Sequence, residues 1–445
     1  MASSRKHERL IEHVAARLTE QVRPGQHLTL ALSGGVDSVV LFDILRQLRS
    51  SLGFFLSALH VNHQISPHAP DWGRFCAGLC ARHAVAYSEE TVTLERGGGD
   101  SLEASARTAR YRAFAALETD FVVLAQHRDD QAETVLLQLL RGAGVKGLSA
   151  MPEVRALGES ARILRPLLDV PRAQILDWAG EHHLAWVEDE SNQDVRYDRN
   201  FLRHEVLPLL ARRFPACGYT LARAGSHFAE TAELLDQLAV LDAGDGICEN
   251  RLRVDVLAPL SAARARNLLR HFLDRQGIPM PSAARLDDVL RQVSAARPDA
   301  RIHIALGEYE LRRYRGELHA TRRLAPLEPE FSSPWLSGEM LVLPHGSLRF
   351  ERRQGEGISR ARLESAPLTV RYRRGGERLR PQCGRPSRSL KNLLQESAVP
   401  PWQRERLPLL YCGDALACVP EVGVDCAWQA QPGEWGIFAI YKVYV

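Results

Sequence analysis

No Cys-x-x-Cys pair occurs in this chain of 445 residues, and its eight cysteines (76, 80, 217, 248, 383, 412, 418 and 426) follow no regular spacing. Cys76 and Cys80 stand one helical turn apart, but no second ligand pair is present to complete a zinc site. Thiols in such a pattern are expected to stay reduced and to serve mostly as small buried hydrophobes, as in a cytoplasmic protein. No apolar run approaches the roughly 18 residues that span a bilayer. The stretch from Met1 to Arg9 lacks the apolar core of a signal peptide. These absences predict no membrane association and a cytoplasmic location. The patterns G-x-x-x-x-G-K-[ST] and G-x-G-x-x-G are also missing, which excludes Walker-type NTPases and dinucleotide folds of the Rossmann kind. A net charge of only +3 excludes a general polycation, so any nucleic-acid surface must come from local clustering of Arg and Lys.

What is present describes a globular chain. Hydrophobic residues make up 45% and charged residues 25%, outside the disordered range, and the length calls for two or three domains. The first part alternates strand-like runs (His27 to Leu32, Phe54 to Val61, Phe121 to Ala125) with helical patterns at Val39–Leu48, Asp71–His83, Leu102–Leu117 and Gln131–Leu140. That alternation predicts an α/β domain with a parallel sheet, covering residues 1–215, with ligands beyond the C-terminal ends of its strands. From Tyr219 to Ala296 the pattern turns helical, predicting a second domain over 216–325. Pro326, Pro329 and Pro334 then suggest a linker. Short apolar segments and dense Arg predict a small mixed α+β domain over 326–445, its core at about 365–445.

The segment richest in chemistry is Ser33-Gly34-Gly35-Val36-Asp37-Ser38, between a strand and a helix. Glycines let backbone approach a phosphate closely, and a helix N-terminus offers free N–H groups and a positive dipole end. Ser33 and Ser38 add hydroxyls, and Asp37 is suited to hold Mg2+ against phosphates. A plain strand-to-helix turn is the simpler reading of a Gly-Gly pair; the whole hexapeptide favours nucleotide.

Three further segments narrow the chemistry. His60-Val-Asn62-His63 follows the second strand and reads as hydrogen-bonded site wall, since a strand end offers poor metal geometry. Asp100 and Glu103 form a candidate capping box, after which Arg107, Arg110 and Tyr111 share one helix side, either a solvated basic face or phosphate contacts. Gln126-His127-Arg128-Asp129-Asp130-Gln131-Ala-Glu133 opens a helix at a strand end. Asp130 and Glu133 fit a second capping box, which leaves Asp129 unexplained; the carboxylates together suit a cationic amine. Arg141 and Lys146, among C-cap glycines, either return to phosphates or answer the helix dipole.

With these residues in view, the chain resembles the bacterial tRNA(Ile)-lysidine synthetase (TilS) family of PP-loop ATP pyrophosphatases, whose catalytic domain is adenine nucleotide alpha hydrolase-like. The matching pieces are SGGVDS, LHVNHQ, SLEASARTARYRAF, AQHRDDQAETVLLQLLRGAGVKGL, LRPLL and WVEDESNQDVRYDRNFLRHEVLP. The last piece is the most telling, because general PP-loop enzymes lack it.

The resemblance implies ligation of free L-lysine to C2 of the wobble cytidine in the isoleucine tRNA with a CAU anticodon. ATP and Mg2+ would serve as cofactors, and the base would be activated as its adenylate. Asp37, Asp130 and Arg110 become the expected catalytic residues, and Ser33, Gly34, Gly35, Val36, Asp37, Ser38, His60 and Asn62 the ATP contacts. Asp129, Asp130 and Glu133 would hold lysine, without individual roles assigned; Arg107, Arg110 and Arg141 would meet phosphate or adenylate. Arg199, Asn200 and Arg203 match an RNA-facing RN-x-x-R pattern. A C-terminal run including Arg373, Arg374 and Arg378, with Trp402 interleaved, implies grip on the acceptor stem or arm. Oligomeric state is left open, a homodimer among the options.

The nearest rival is a tRNA thiolase making 2-thiocytidine or 2-thiouridine, disfavoured because no cysteine lies in the matched motifs. A glutaminase-linked synthetase is disfavoured by Ala2, and a non-catalytic RNA binder by the intact loop. Neutralising Arg373, Arg374 and Arg378 together is expected to weaken tRNA binding, with the slope of log affinity against log salt falling by up to about 3; filter binding across a salt series checks this, and an unchanged slope removes the basic surface from consideration.

Overall fold

The computed structural model describes residues 2–64, 66–93, 102–158, 160–295, 302–323, 326–328, 330–335, 338–363 and 367–443. The candidate capping box of Asp100 and Glu103 lies outside the described residues and side chains. The chain divides into two compact units, Met1–Leu235 and Asp236–Val445.

The first unit is built around a six-stranded sheet. In chain order its elements are α1 (Ala2–Gln21), β1 (His27–Ala31), α2 (Val36–Leu52), β2 (Phe55–Asn62), α3 (Ala69–Arg82), β3 (Ala86–Thr91), α4 (Leu102–Ala115), β4 (Phe121–Val123) and α5 (Arg128–Leu140). There follow the short α6 (Val145–Leu148), β5 (Val154–Leu157), β6 (Ala161–Leu164), α7 (Arg172–Glu181), the one-turn α8 (Asp198–Phe201), α9 (Leu207–Arg213) and the start of the long α10 (Cys217–Ala243), whose residues from Asp236 on count to the second unit. Strand order is β3-β2-β1-β4-β6-β5, parallel except for the β5–β6 hairpin. Leu28 pairs with Leu56 on one side and Phe121 on the other, so β1 sits at the centre.

Period-two alternation divides the strand side chains between two cores. Leu28, Leu30, Phe121 and Val123 pack with α1, α2 and α7 on one face. Val122, Leu124 and Ile163 pack with Phe114 of α4 on the other. Helix α2 ends at Gly53, whose φ of 71° lets its N–H close on the Arg49 carbonyl. Strand order reverses between β1 and β4, and that switch point opens a crevice at the strands' C-terminal ends.

The second unit holds more sheet than the helical pattern over 219–296 suggested. Helices α11 (Ala262–Arg275) and α12 (Ala283–Ala295) are there, and α11 is capped by Ser261. They pack on a five-stranded antiparallel sheet of β7 (Ile247–Cys248), β8 (Arg251–Arg253), β11 (Glu317–Arg322), β10 (Tyr309–Tyr314) and β9 (His303–Leu306). Its strands are short and carry Arg, His and Glu beside apolar residues, which hid their alternation. Beyond them, a five-stranded and a four-stranded sheet share one core, including Leu348, Val370, Leu409 and Ile437. The mixed domain expected at the C-terminus takes this form.

The cysteines depart from the expectation of thiols throughout. Cys76, Cys80, Cys412 and Cys418 are buried as foreseen, but Cys383 and Cys426 form a disulfide with Cα atoms 5.3 Å apart. Local bonds bring their loops together: Cys426 N–H donates to the Arg380 carbonyl at 2.8 Å, and Gln429 Nε2–H to that of Pro381 at 2.7 Å.

Helix α2, which follows the Ser33–Ser38 loop, is tied to α7 by a buried carboxylate. Asp43, 2% exposed, accepts from Trp178 Nε1–H at 3.0 Å and Gln47 Nε2–H at 2.9 Å, and pairs with Arg46. Asp43→Ala leaves the indole N–H and the guanidinium without their acceptor and is expected to destabilise by about 2–4 kcal/mol. The drop in thermal midpoint checks this; an unchanged midpoint would show the tie to be dispensable.

Candidate active site

Strand β1 delivers Ser33 to Ser38 to the switch point. Gly34 has φ +88°, and a Cβ there would meet Val187 Cγ2 at 2.7 Å, so both backbone angle and space demand glycine. Gly35 is the N-cap of α2 and offers no side chain to the first amides, which stay available to an anion. The hydroxyls brace the turn: Ser38 Oγ–H donates to the Gly35 carbonyl at 2.9 Å, and Ser33 Oγ lies 3.1 Å from Ser38 Oγ.

Asp37 occupies the first turn of α2, with His127 Nε2 at 3.7 Å and Arg172 Nε at 3.8 Å. Its Oδ1 is buried and has no hydrogen-bond partner among the described residues. Burial raises its pKa above the ordinary carboxylate value, more than His127 and Arg172 lower it. An orphaned carboxylate oxygen beside a loop of free amides fits a cation held jointly with phosphates. No cluster of three or more metal-ligating side chains occurs among the described residues.

A cavity of about 580 Å³ opens here. It is lined by Ser33, Gly35, Asp37 and Ser38 of the loop, His60 and Asn62 of β2, Arg107 and Arg110 of α4, and Asp130 of α5. Gly34, Val36, Asp129, Glu133 and Arg141 are not among its lining residues. His60 is 4% exposed, and its Nδ1 lies 2.9 Å from the Leu32 carbonyl. Asn62 donates to Glu89 at 3.1 Å and accepts from Gln64 N–H at 3.0 Å. Both are hydrogen-bonded wall residues. Arg110 Nε–H donates to His63 Nε2 at 3.3 Å, and burial with that neighbouring charge lowers the His63 pKa to about 4.

The acids are arranged differently from their sequence reading. Asp130 caps α5 by accepting the His127 main-chain N–H at 3.0 Å, and Glu133 takes no part in that cap. Glu133, 2% exposed, is gripped by Arg203 at 2.6 and 2.9 Å and by Arg199 at 2.9 Å. Arg203 also donates to Asp130 Oδ1 at 3.1 Å. Burial alone would raise the Asp130 pKa, but His127, Arg199, the capping N–H and Arg203 together outweigh it and lower the value. Asp129 stays half-exposed, accepting the Arg172 main-chain N–H at 2.9 Å. Arg141 reaches Asp198 at 3.0 Å.

The segment from Trp186 to Pro208 forms a lip over the cavity. Val187 N–H donates to the Gly34 carbonyl at 3.0 Å, joining the lip to the phosphate loop. Asn200 Nδ2–H donates to the carbonyls of Ser191 at 2.9 Å and Asp194 at 3.0 Å, and His204 Nε2 lies 2.8 Å from that of Asn192. Asp189 to Asn192 and Gln126 line the cavity, none of them assigned to it from sequence, as does Tyr111, which the sequence placed beside Arg107 and Arg110. For Gln126 the signal was available, since it directly precedes His127 in the acidic motif. In the second unit, Arg373 pairs with Glu377 at 3.2 Å and Arg378 donates to the Ser387 carbonyl, whereas the Arg374 side chain is exposed.

Family models match residues 5–210 as a PP-loop domain, 252–319 as a TilS substrate binding domain and 368–441 as a TilS substrate C-terminal domain. The chain is 47% identical over 424 residues to the tRNA(Ile)-lysidine synthase of Nitrosomonas europaea, covering 94% of this chain and 93% of that one. It belongs to the tRNA(Ile)-lysidine synthase family. A second relative, from Coxiella burnetii, is 40% identical over 92% of this chain and 91% of its own length. Among solved structures, the U34-tRNA thiolase NcsA of Methanococcus maripaludis aligns with a TM-score of 0.45 at 17% identity, over 51% of this chain and 80% of that one, too remote to bear on substrate. Family membership carries ATP use with the PP-loop domain.

Removing Glu133 leaves two guanidinium groups facing one remaining acid. Glu133→Ala is expected to destabilise the first unit by about 3–5 kcal/mol, and the double variant Glu133→Ala with Arg203→Met by clearly less than the sum of the two single changes. A denaturation cycle over the four proteins measures the coupling; additive effects would mean the network is energetically idle.

Proposed function

We propose that the chain joins free L-lysine to C2 of the wobble cytidine in the CAU-anticodon isoleucine tRNA, releasing AMP and pyrophosphate. The observation that carries this is an intact Ser33–Ser38 loop at the β1–β4 switch point, in a chain 47% identical to a named lysidine synthase over nearly its whole length. The catalytic part is proposed to span 1–215, with tRNA-binding parts over 216–325 and 326–445, acting in the cytoplasm; whether copies of the chain pair as a homodimer is left to sizing in solution.

The C2 oxygen of cytosine is a poor leaving group. Its attack on the α-phosphate of ATP expels pyrophosphate and makes AMP the group that later departs. Gly34, Gly35, Val36 and the first amides of α2 are proposed to cradle the phosphates, braced by Ser33 and Ser38, with His60 and Asn62 forming the nucleotide wall. Arg107 and Arg110 would counter charge developing at the reacting phosphate. Asp37 would hold Mg2+, which when bound neutralises phosphate charge. The cytidine leaves its anticodon stack at small cost because the loop is single-stranded.

Lysine must reach C2 with a neutral ε-amine. Asp130 lines the cavity, whereas Glu133 lies behind it, compensated by Arg199 and Arg203. This supports Asp130 as the acid that would meet the ammonium directly, with Glu133 tuning it through the shared Arg203 and Asp129 at the half-exposed margin. Arg199, Asn200 and Arg203 would serve RNA by shaping the lip that faces the anticodon, with Arg141 at its edge. In the C-terminal region, exposed Arg374 and Arg378 are the direct candidates for RNA phosphates, and Arg373 orders their turn through Glu377.

Pyrophosphate release with ATP, L-lysine and the CAU tRNA tests the reading; release without lysine entering the RNA would sink it, and sulfur incorporation instead would support a thiolase. A substitution at Asp37 separates chemistry from folding. Its folded pKa is raised, so its contribution to stability is present at low pH and lost as pH rises through that raised value. Asp37→Asn is therefore expected to abolish pyrophosphate release while the ligand-free protein unfolds no lower than wild type at pH 7. Loss of tRNA binding as the main effect would contradict the assignment.

A further inference from the structure

Arg165, directly after β6, is 1% exposed, and no ion pair of the described residues involves it. Its guanidinium meets neutral acceptors only: Nε–H donates to Gln126 Oε1, Nη1–H to the Pro152 carbonyl at 2.7 Å and Nη2–H to the Tyr111 hydroxyl at 3.4 Å. Burying a cation without a counter-anion is costly, so its retention calls for an account. Gln126 and Tyr111, the two side chains it touches, both line the cavity.

Arginine has five N–H donors and no acceptor, so the Gln126 oxygen must be the atom that faces Arg165. The amide –NH2 is then left to the cavity; the Gln126 side chain has no second hydrogen bond among the described residues. Tyr111 is constrained in the same sense. Its oxygen accepts from Arg165 and from Arg107 Nη2–H at 3.5 Å, while its ring is flanked by Arg155 at 4.8 Å and Arg107 at 5.1 Å. With its oxygen receiving two donors, its own proton is free to be given away.

We infer that Arg165 is a positioning residue that turns the Gln126–Tyr111 wall into a hydrogen-bond donor surface for an acceptor-only, negatively charged oxygen of a substrate, a phosphate or a carboxylate. The proximity of Arg107 suits that charge. Within the proposed reaction this oxygen belongs to a phosphate of ATP, a backbone phosphate of the RNA or the carboxylate of free lysine. The inference thus rests on that reading for its ligands, but its geometry stands apart from it.

Gln126→Glu tests it, because the change keeps shape, gives Arg165 a carboxylate partner and removes the –NH2 from the cavity. The thermal midpoint is expected to stay or rise, while the dissociation constant of one ligand rises roughly 10- to 100-fold. Calorimetry with ATP, L-lysine and tRNA separately identifies the source of the oxygen by which affinity falls. Gln126→Met, uncharged, is expected to weaken the same ligand to a smaller degree. All three affinities within twofold of wild type, or a normal affinity in Gln126→Met, would overturn the donor role. A lowered midpoint with uniform loss would reduce Gln126 to a structural residue and overturn it too. Wild-type protein that incorporated no lysine would defeat the proposed function, yet its ATP and tRNA affinities would still judge Gln126.

Discussion

Four charged side chains, Asp130 and Glu133 from α5 with Arg199 and Arg203 from the segment after Trp186, hold the candidate site in shape. A buried and a mostly buried carboxylate would repel one another and resist desolvation; two guanidiniums, each able to donate in a fork, make the burial tolerable. The pairing fixes the start of α5, and with it the acid that lines the cavity, to the turn beginning at Asp198. Because Asn200 and His204 on that turn hold the main chain of Ser191 to Asp194, the same network sets the lip. The lip then returns through Val187 to the carbonyl of Gly34. Phosphate loop, acids and lip therefore form one closed circuit of contacts.

This circuit gives the RN-x-x-R pattern a physical meaning. Neighbouring residues of one short helical stretch divide the labour: Arg199 and Arg203 face the acids, while Asn200 and His204 face the lip. A helical turn separates the members of each pair, which places each on one side. The guanidiniums of Arg199 and Arg203, which the motif suggested for RNA, are bonded within the protein to Glu133 and Asp130.

Elsewhere in the cavity lining a different device operates. Among the described residues Arg165 has no acid to neutralise it, and its donors bond to neutral groups that line the cavity instead. Asp130 thus brings a compensated acid to the cavity, whereas Gln126 and Tyr111 bring hydrogen-bonding groups ordered by Arg165. The proposed ligation of a lysine amine to a phosphate-activated base would draw on both.

The residues alone determined the alternation of strand and helix, the phosphate loop, the family and the basic C-terminal region, because each is encoded by local period, turn chemistry or a contiguous motif. The helices over 219–296 were legible, but the sheet beneath them was not, since its short strands mix charged and apolar residues. The edge strand Ala86–Thr91, with sequence AYSEET, escaped for the same reason. Tertiary structure alone decided the partners of charged groups. Glu133 read as half of a capping box, yet Arg199 and Arg203, 66 and 70 positions away, claim it. Nor could spacing reveal that Arg165 and Gln126, 39 positions apart, meet where two parallel strands end. Local periodicity records which face of an element is apolar; which opposite charge finds it is settled only when distant segments pack and water is excluded.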